Sequence, residues 1–177
     1  MKRNIFQKIE WYISWYFVRM TKIFSEKLYK KLYKKLLKSV GMDIVQDEYY
    51  IDPTAIFDNY DYSLIHIGKN VTISRDVLFL THDYSLYVGI RMVDDNLTSG
   101  LFLKDIRVED NCFIGARVTL LPGTHIGKNS VIGAGAVVKG IIPENSIVIG
   151  NPGKVVCRTN EWAKRHIEKS DFIYLDS

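Results

Sequence analysis

The sequence predicts a mainly β protein, a solenoid of short strands preceded by an N-terminal α-helical arm and closed by a short C-terminal helix. Three observations support this. Aliphatic residues recur every six positions through the second half of the chain. Apolar residues recur every three or four positions through the first forty, and the late segment EWAKRHIEK reads as a short polar helix.

The chain has 177 residues, which fits one compact domain, or one domain with an arm. Hydrophobic residues make up 47% and charged residues 25%, with only 4 Pro and 12 Gly, which argues against long disorder and collagen-like structure. Two cysteines, Cys112 and Cys157, are too few for a disulfide framework. The sequence does not open with a charged, then apolar, then small-residue leader, so a reduced cytoplasmic protein is expected. The longest early apolar run, Trp15–Val18, is flanked by Ser14 and Arg19 and is far shorter than the roughly 20 residues that cross a bilayer.

The arm, residues 1–41, is expected to be one helix. Ile5, Ile9, Tyr12, Tyr16, Met20, Phe24, Leu28, Leu32, Leu36 and Val40 form a single stripe, with Asn4 and Gln7 as an N-terminal cap and Gly41 as the stop. Residues 1–40 carry eleven Lys or Arg against Glu10 and Glu26, a net +9, so the +4 of the whole chain leaves −5 for the remainder. A basic arm on an acidic body points to an anionic partner. The first half adds Trp11, Trp15 and Val18 as a second stripe, which favours an anionic membrane surface, at the inner face of the membrane, over nucleic acid. The competing reading packs the same stripe on the body or on a partner subunit.

The body spans 42–158. Val108, Ile114, Leu120, Ile126, Ile132 and Val138 keep the six-residue step without a slip, and Ile67, Ile73 and Phe79, then Ile51 and Phe57, form earlier in-phase runs. Two residues before most of these anchors stands a small or β-branched residue, such as Ala55, Val71, Cys112, Thr124 or Ala136, which points to the same side of a strand and so into the interior. Each unit is read as a short strand closed by a corner of Gly or Asn, residues that tolerate positive φ, and three units make one triangular coil. The repeat is interrupted between Phe57 and Ile67 and, more widely, between Phe79 and Val108, where 84–104 is read as an excursion from the coil. Residues 159–177 form the C-terminal tail.

The stretch FIGARVTLLPGTHIGKNSVIGAGAVVKGIIPENSIVIGNPGKVV, from Phe113, resembles the C-terminal half of hexapeptide-repeat acyltransferases, in particular the galactoside, maltose and polysaccharide O-acetyltransferase branch. The similarity covers about residues 50–158: the anchors, LPG, GAGAVV, the Pro143 turn and GNPGKV come in the family's order. It implies a left-handed parallel β-helix, a homotrimer, and acetyl-CoA as co-substrate in the groove between adjacent prisms. The left-handed coiling comes from the resemblance alone, because it opposes the usual crossover preference.

Acetyl transfer to a hydroxyl needs a base, and histidine suits neutral pH. His66 and His125 directly precede anchors and should face outward, and His166 lies in the tail. His82 lies where the regular coil gives way to the excursion, and the resemblance implies that it is the general base. Asp83 is a candidate to orient it or to position the acceptor. Tyr84, Tyr87, Arg91, Asp94, Asp95 and Asn96 give the excursion groups that suit a sugar. By resemblance, Ala116 and Ala134 leave room for the pantetheine, Lys139 follows in the next turn, and Lys154 and Arg158 lie near the nucleotide phosphates, with Cys157 where a second basic residue is usual. Phe113 stands where the sugar branch commonly has Trp. The reading is therefore an acetyl-CoA-dependent O-acetyltransferase acting by direct transfer on a sugar or surface polysaccharide precursor, with no metal expected. The rivals are an amino-sugar N-acetyltransferase, a metal-dependent hydratase using His66, His82 and His125, and a non-catalytic scaffold.

Overall fold

The computed structural model describes residues 5–45, 50–58, 60–93 and 99–173, with side chains from residue 9 onward. Asn4, the Gln7 side chain, Asp94, Asp95 and Asn96 lie outside the described residues.

The arm is two helices, not one. Helix α1 (Ile5–Phe24) ends where Ser25 turns extended, and α2 (Glu26–Ser39) begins with the Ser25 hydroxyl accepting from Leu28 N–H at 3.2 Å. Serine competes for its own backbone and so favours a cap over a helix interior, a local signal that the unbroken apolar stripe conceals. Gly41, at φ +98°, ends the segment. Tyr29, Tyr33, Leu36 and Leu37 of α2 are buried in the same core as the coil interior. The Tyr29 hydroxyl donates to the Ile51 carbonyl at 2.6 Å. Burial pushes the Tyr33 phenol up to about 12.

The body then turns through three sheets in rotation. The first turn is β1 (Asp43–Ile44), β2 (Tyr50–Ile51) and β3 (Ile56–Phe57); the second is β4 (Ile65–Ile67), β5 (Thr72–Ile73) and β6 (Leu78–Phe79). An excursion follows, made of β7 (His82–Asp83), α3 (Leu86–Val93) and β8 (Phe102–Leu103). The third turn is β9 (Ile106–Val108), β10 (Phe113–Ile114) and β11 (Thr119–Leu120), and the fourth is β12 (His125–Ile126), β13 (Val131–Ile132) and β14 (Val137–Val138). Strands β15 (Ile141–Ile142), β16 (Ser146–Ile149) and β17 (Lys154–Arg158) lead into α4 (Thr159–Lys169). The first sheet orders β1-β4-β9-β12-β15, the second β17-β16-β13-β10-β5-β2 and the third β14-β11-β6-β3, all parallel except the β16–β17 pair.

Every anchor faces the interior and is stacked in register: Ile51, Ile73, Ile114, Ile132 and Val148 form one column, and Phe57, Phe79, Leu120 and Val138 another. The glycines that follow the anchors serve close approach, not positive φ. A Cβ on Gly115 would meet the Ala134 nitrogen at 2.6 Å, and one on Gly127 would meet the Glu144 nitrogen at the same distance. One column of left-handed corners falls on asparagines. Asn70, Asn111, Asn129 and Asn145 have φ between 51° and 60°, and the side-chain amides of Asn70, Asn111 and Asn129 each donate to the side-chain oxygen of the next asparagine in the column at 2.9–3.1 Å.

The shorter interruption, before β4, is a 3₁₀ turn at Tyr62–Leu64 with Asp61 as its cap. The longer excursion begins at His82, two residues before the expected start, because β7 pairs antiparallel with β8. The arm is also held by charge. Lys22 reaches Asp52 at 3.1 Å and the Tyr50 hydroxyl at 2.5 Å, and Tyr50 donates to the same Asp52 oxygen at 2.9 Å. Partial burial opposes ionisation of Asp52, but hydrogen bonds from Thr54, Lys22 and Tyr50 outweigh it and hold the carboxyl at about 2. Because the folded value lies below the unfolded one, this stabilisation is complete above about pH 4 and is lost as pH falls toward about 2. Urea denaturation should show Asp52→Asn less stable than the wild type at neutral pH, with the gap closing across that acid window.

Candidate active site

His82 is the first residue beyond the Thr81 corner, and its surroundings are supplied by two turns of the coil. Its Nδ1 faces Asp58 Oδ2 in a short hydrogen bond. Asp58 directly follows β3, one turn earlier, and its side chain is 2% exposed. The same oxygen accepts from Thr81 N–H at 3.0 Å, the Thr81 hydroxyl at 3.0 Å and His82 N–H at 3.1 Å, while Oδ1 accepts from Tyr60 N–H at 2.9 Å. Burial works against the charge, but the donors from Tyr60, His82 and Thr81 prevail and hold this carboxyl below the usual range. Asp58 is therefore an acceptor only, so Nδ1 carries a proton, and in the neutral imidazole the lone pair is on Nε2. Tyr60 and Tyr84 flank the ring at centroid distances of 5.1 and 5.4 Å.

Each of the other histidines also meets a carboxylate, but an exposed or half-exposed one. His66 pairs with Asp43 at 3.0 Å, His125 with Glu109 at 2.9 Å and His166 with Asp171 at 2.7 Å. His66 and His125 lie on the outer face of the first sheet, away from the corner that carries His82. Among the described residues no three His, Cys, Asp or Glu side chains come close enough to hold a metal ion.

The carboxylate that orients His82 is Asp58, not its neighbour Asp83, whose Oδ1 accepts from Ser85 N–H at 2.8 Å ahead of α3. Arg91 lies on exposed α3, and its guanidinium donates to the Tyr87 hydroxyl at 3.2 Å. The other sequence-predicted residues surround the outer face of the third sheet. Ala116 and Ala134 stand in stacked corners on one side of it, where Gly135 N–H donates to the Ala116 carbonyl at 2.8 Å. Lys139 stands at the opposite corner, with its ammonium 5.4 Å from the Phe102 ring. Lys154 begins β17 beside this sheet, where Gly153 N–H donates to the Val137 carbonyl at 2.8 Å. Arg158 ends β17, next to Cys157, whose sulfur accepts from Arg165 at 3.1 Å. Phe113 is exposed on the second sheet.

Two hollows open near this face. One of about 600 Å³ lies between the arm and the third sheet, lined by Trp11, Trp15, Arg19, Ile56, Leu78 and Leu80 and also by Asp58 and His82. The other, about 40 Å³, is bounded by Asp83, Phe102, Lys104, Leu121, Pro122 and Lys139.

Residues 105–139 match the family model described as the hexapeptide repeat of succinyl-transferase. Galactoside O-acetyltransferase of Escherichia coli is 30% identical over 141 residues, which cover 71% of this chain and 68% of the relative. The chain belongs to the hexapeptide-repeat acetyltransferase family. The Lactococcus lactis galactoside O-acetyltransferase is 34% identical over 124 residues, 67% of this chain and 54% of that protein. In general the chain spans about half to two-thirds of the length of the curated relatives it matches. A galactoside acetyltransferase solved with coenzyme A superposes with a TM-score of 0.59 at 24% identity, covering 88% of this chain and 84% of that one. A maltose O-acetyltransferase from Clostridium difficile superposes at 0.56 and 24%, covering 88% and 89%.

The tautomer has a direct spectroscopic test. Imidazole ¹⁵N spectra should report Nδ1–H for His82 in the wild type, and Asp58→Asn should shift the population toward Nε2–H.

Proposed function

We propose that the protein is an acetyl-CoA-dependent O-acetyltransferase acting on a hydroxyl of a sugar or surface polysaccharide precursor, built as a left-handed parallel β-helix and working as a homotrimer. The observation that carries this reading is the buried Asp58 carboxylate behind His82, which leaves Nε2 as a base at the edge of the third sheet. Both donor and acceptor enter as substrates, and acetyl-CoA supplies the activated thioester. His82 Nε2 takes the acceptor's hydroxyl proton as that oxygen bonds to the thioester carbon. The carbon–sulfur bond then breaks, and the proton held on Nε2 passes to the departing thiolate. Asp58 stabilises the imidazolium formed between these steps. Ala116 and Ala134 admit the pantetheine, Lys139 lies along its path, and Lys154 and Arg158 face the nucleotide phosphates. Asp83, Tyr84 and Arg91 are the acceptor-side candidates on the excursion.

His82→Ala should lower kcat by about 10² to 10⁴ with acetyl-CoA binding unchanged, as read by thiol release against a panel of sugars. Retention of more than about half of wild-type turnover would remove His82 from this role.

Two exposed apolar helices support partners. Val88, Met92 and Val93 of α3 are 68–89% exposed, as expected of a helix that another subunit covers. On α1, Ile9, Ile13, Phe17, Met20 and Phe24 form one stripe, 50–82% exposed, next in sequence to the lysines of α2. Among the described residues no helix is long and apolar enough to cross a membrane. The stripe and the lysines suit contact with an anionic surface at the cytoplasmic face, where each basic residue contributes on the order of 1 kcal/mol. Because α2 is part of the core, the test is substitution and not removal of the arm. The wild type should co-sediment with anionic but not neutral liposomes, and high salt or paired Ile13→Ser and Phe17→Ser should release it with the trimer mass retained in light scattering. Failure of the wild type to sediment would leave the stripe to a subunit contact.

A further inference from the structure

The outer face of the third sheet presents one residue per strand in register, in the order Ile56, Leu78, Thr119 and Val137. Four strands at the usual spacing make a row about 14 Å long. The arm roofs only its first half. There Trp11 and Trp15, stacked at 6.3 Å with 24° between their planes, stand opposite Ile56, Leu78 and Leu80 across the cleft of about 600 Å³. That volume is within the range of small-molecule sites, and apart from Arg19, stacked on Trp15 at 4.1 Å, the wall near these residues is mostly apolar and aromatic. His82 and Asp58 line the same cleft.

The positions matched to the donor lie toward the other end of the row. Ala116, Ala134 and Lys139 belong to the corners around β11 and β14, whereas the cleft covers β3 and β6. His82, which follows β6, lines the cleft, and β6 is the strand that adjoins β11. A ligand that fills the cleft therefore meets His82 from the β3–β6 half of the row.

We infer that the cleft binds the apolar portion of an amphiphilic acceptor, a sugar carrying an alkyl, isoprenoid or aromatic group, and holds its hydroxyl at His82. The hydroxyl end rests on the acetyltransferase reading; the apolar site does not. Equilibrium dialysis without coenzyme A, using methyl and octyl β-galactoside below the micelle-forming concentration of the latter, tests the site alone. The octyl compound should bind once per chain and at least about tenfold more tightly than the methyl compound, as burial of several methylenes requires. Ile56→Asp, at a position 56% exposed, should collapse that ratio, and Tyr12→Ser on the facing helix should reduce it if Ile56→Asp disturbs folding.

Equal binding of the two glycosides, or a ratio unmoved by both variants, overturns the inference even when both glycosides are acetylated. Tight, variant-sensitive binding of an octyl glycoside that is never acetylated upholds the site and counts against the transferase reading. A change in oligomer mass on Ile56→Asp assigns the face to a second copy of the chain and overturns the inference. So does an Ile56-dependent preference for octanoyl-CoA over acetyl-CoA, which would assign the cleft to the donor.

Discussion

Strands of two or three residues have no stability of their own, and the whole molecule follows from that constraint. Each buried N–H and C=O here must find its partner on the neighbouring turn: Phe113 N–H meets the Ser130 carbonyl at 3.0 Å, and Thr72 N–H meets that of Cys112 at 2.9 Å. The chain must therefore return to the same sheet in the same register on every turn. Interior anchors stack into columns, glycines appear where a Cβ would strike the next turn's backbone, and asparagines link the left-handed corners. An insertion is tolerated only if it closes on itself. The excursion does so through β7 and β8, after which β9 pairs with β4 in unbroken register, Ile65 opposite Ile106.

This regularity explains which parts of the molecule are legible in the sequence. A column of anchors needs one residue type at one spacing, so Val108 through Val138 are visible without any structure. Ile44, Ile142 and Val148 occupy the same columns but fall off the six-residue step, because the loops before and after them differ in length. The helical break at Ser25 is hidden for a different reason: the apolar spacing runs on from Phe24 to Leu28 across a residue whose side chain caps the next helix. Glycine is read naturally as a corner residue, whereas its need after the anchors comes from the neighbouring turn, distant in sequence.

Asp58 shows the same limit at the site. It stands at the start of the shorter interruption, where the period fails, and nothing local marks it as different from any solvated aspartate. Register brings it to His82, since Phe57 lies opposite Phe79 and the residues that follow share one corner. The adjacent Asp83 is the more visible choice, yet its carboxylate is committed to Ser85. A buried carboxylate is costly unless its lone pairs are satisfied, and here four donors besides the imidazole meet that need. The carboxylate that holds the His82 ring thus comes from a stacked turn of the coil, not from the residues next to it in the excursion.

That division limits what can vary. His82 is fixed on one side by Asp58 and on the other by its pairing with Leu103, and Lys104 N–H donates to the Thr81 carbonyl at 3.0 Å, so both ends of the excursion are tied to the coil. Between those ends α3 buries none of its side chains, and the arm that roofs the large cleft is joined to the coil through Lys22, Asp52 and Tyr29 at positions away from His82. Changes in α3 or in the roof can therefore reshape what approaches Nε2 without moving it. Under the proposed function, such an arrangement separates the orientation of the base, which the repeat enforces, from the choice of acceptor, which falls to the two segments that depart from the repeat.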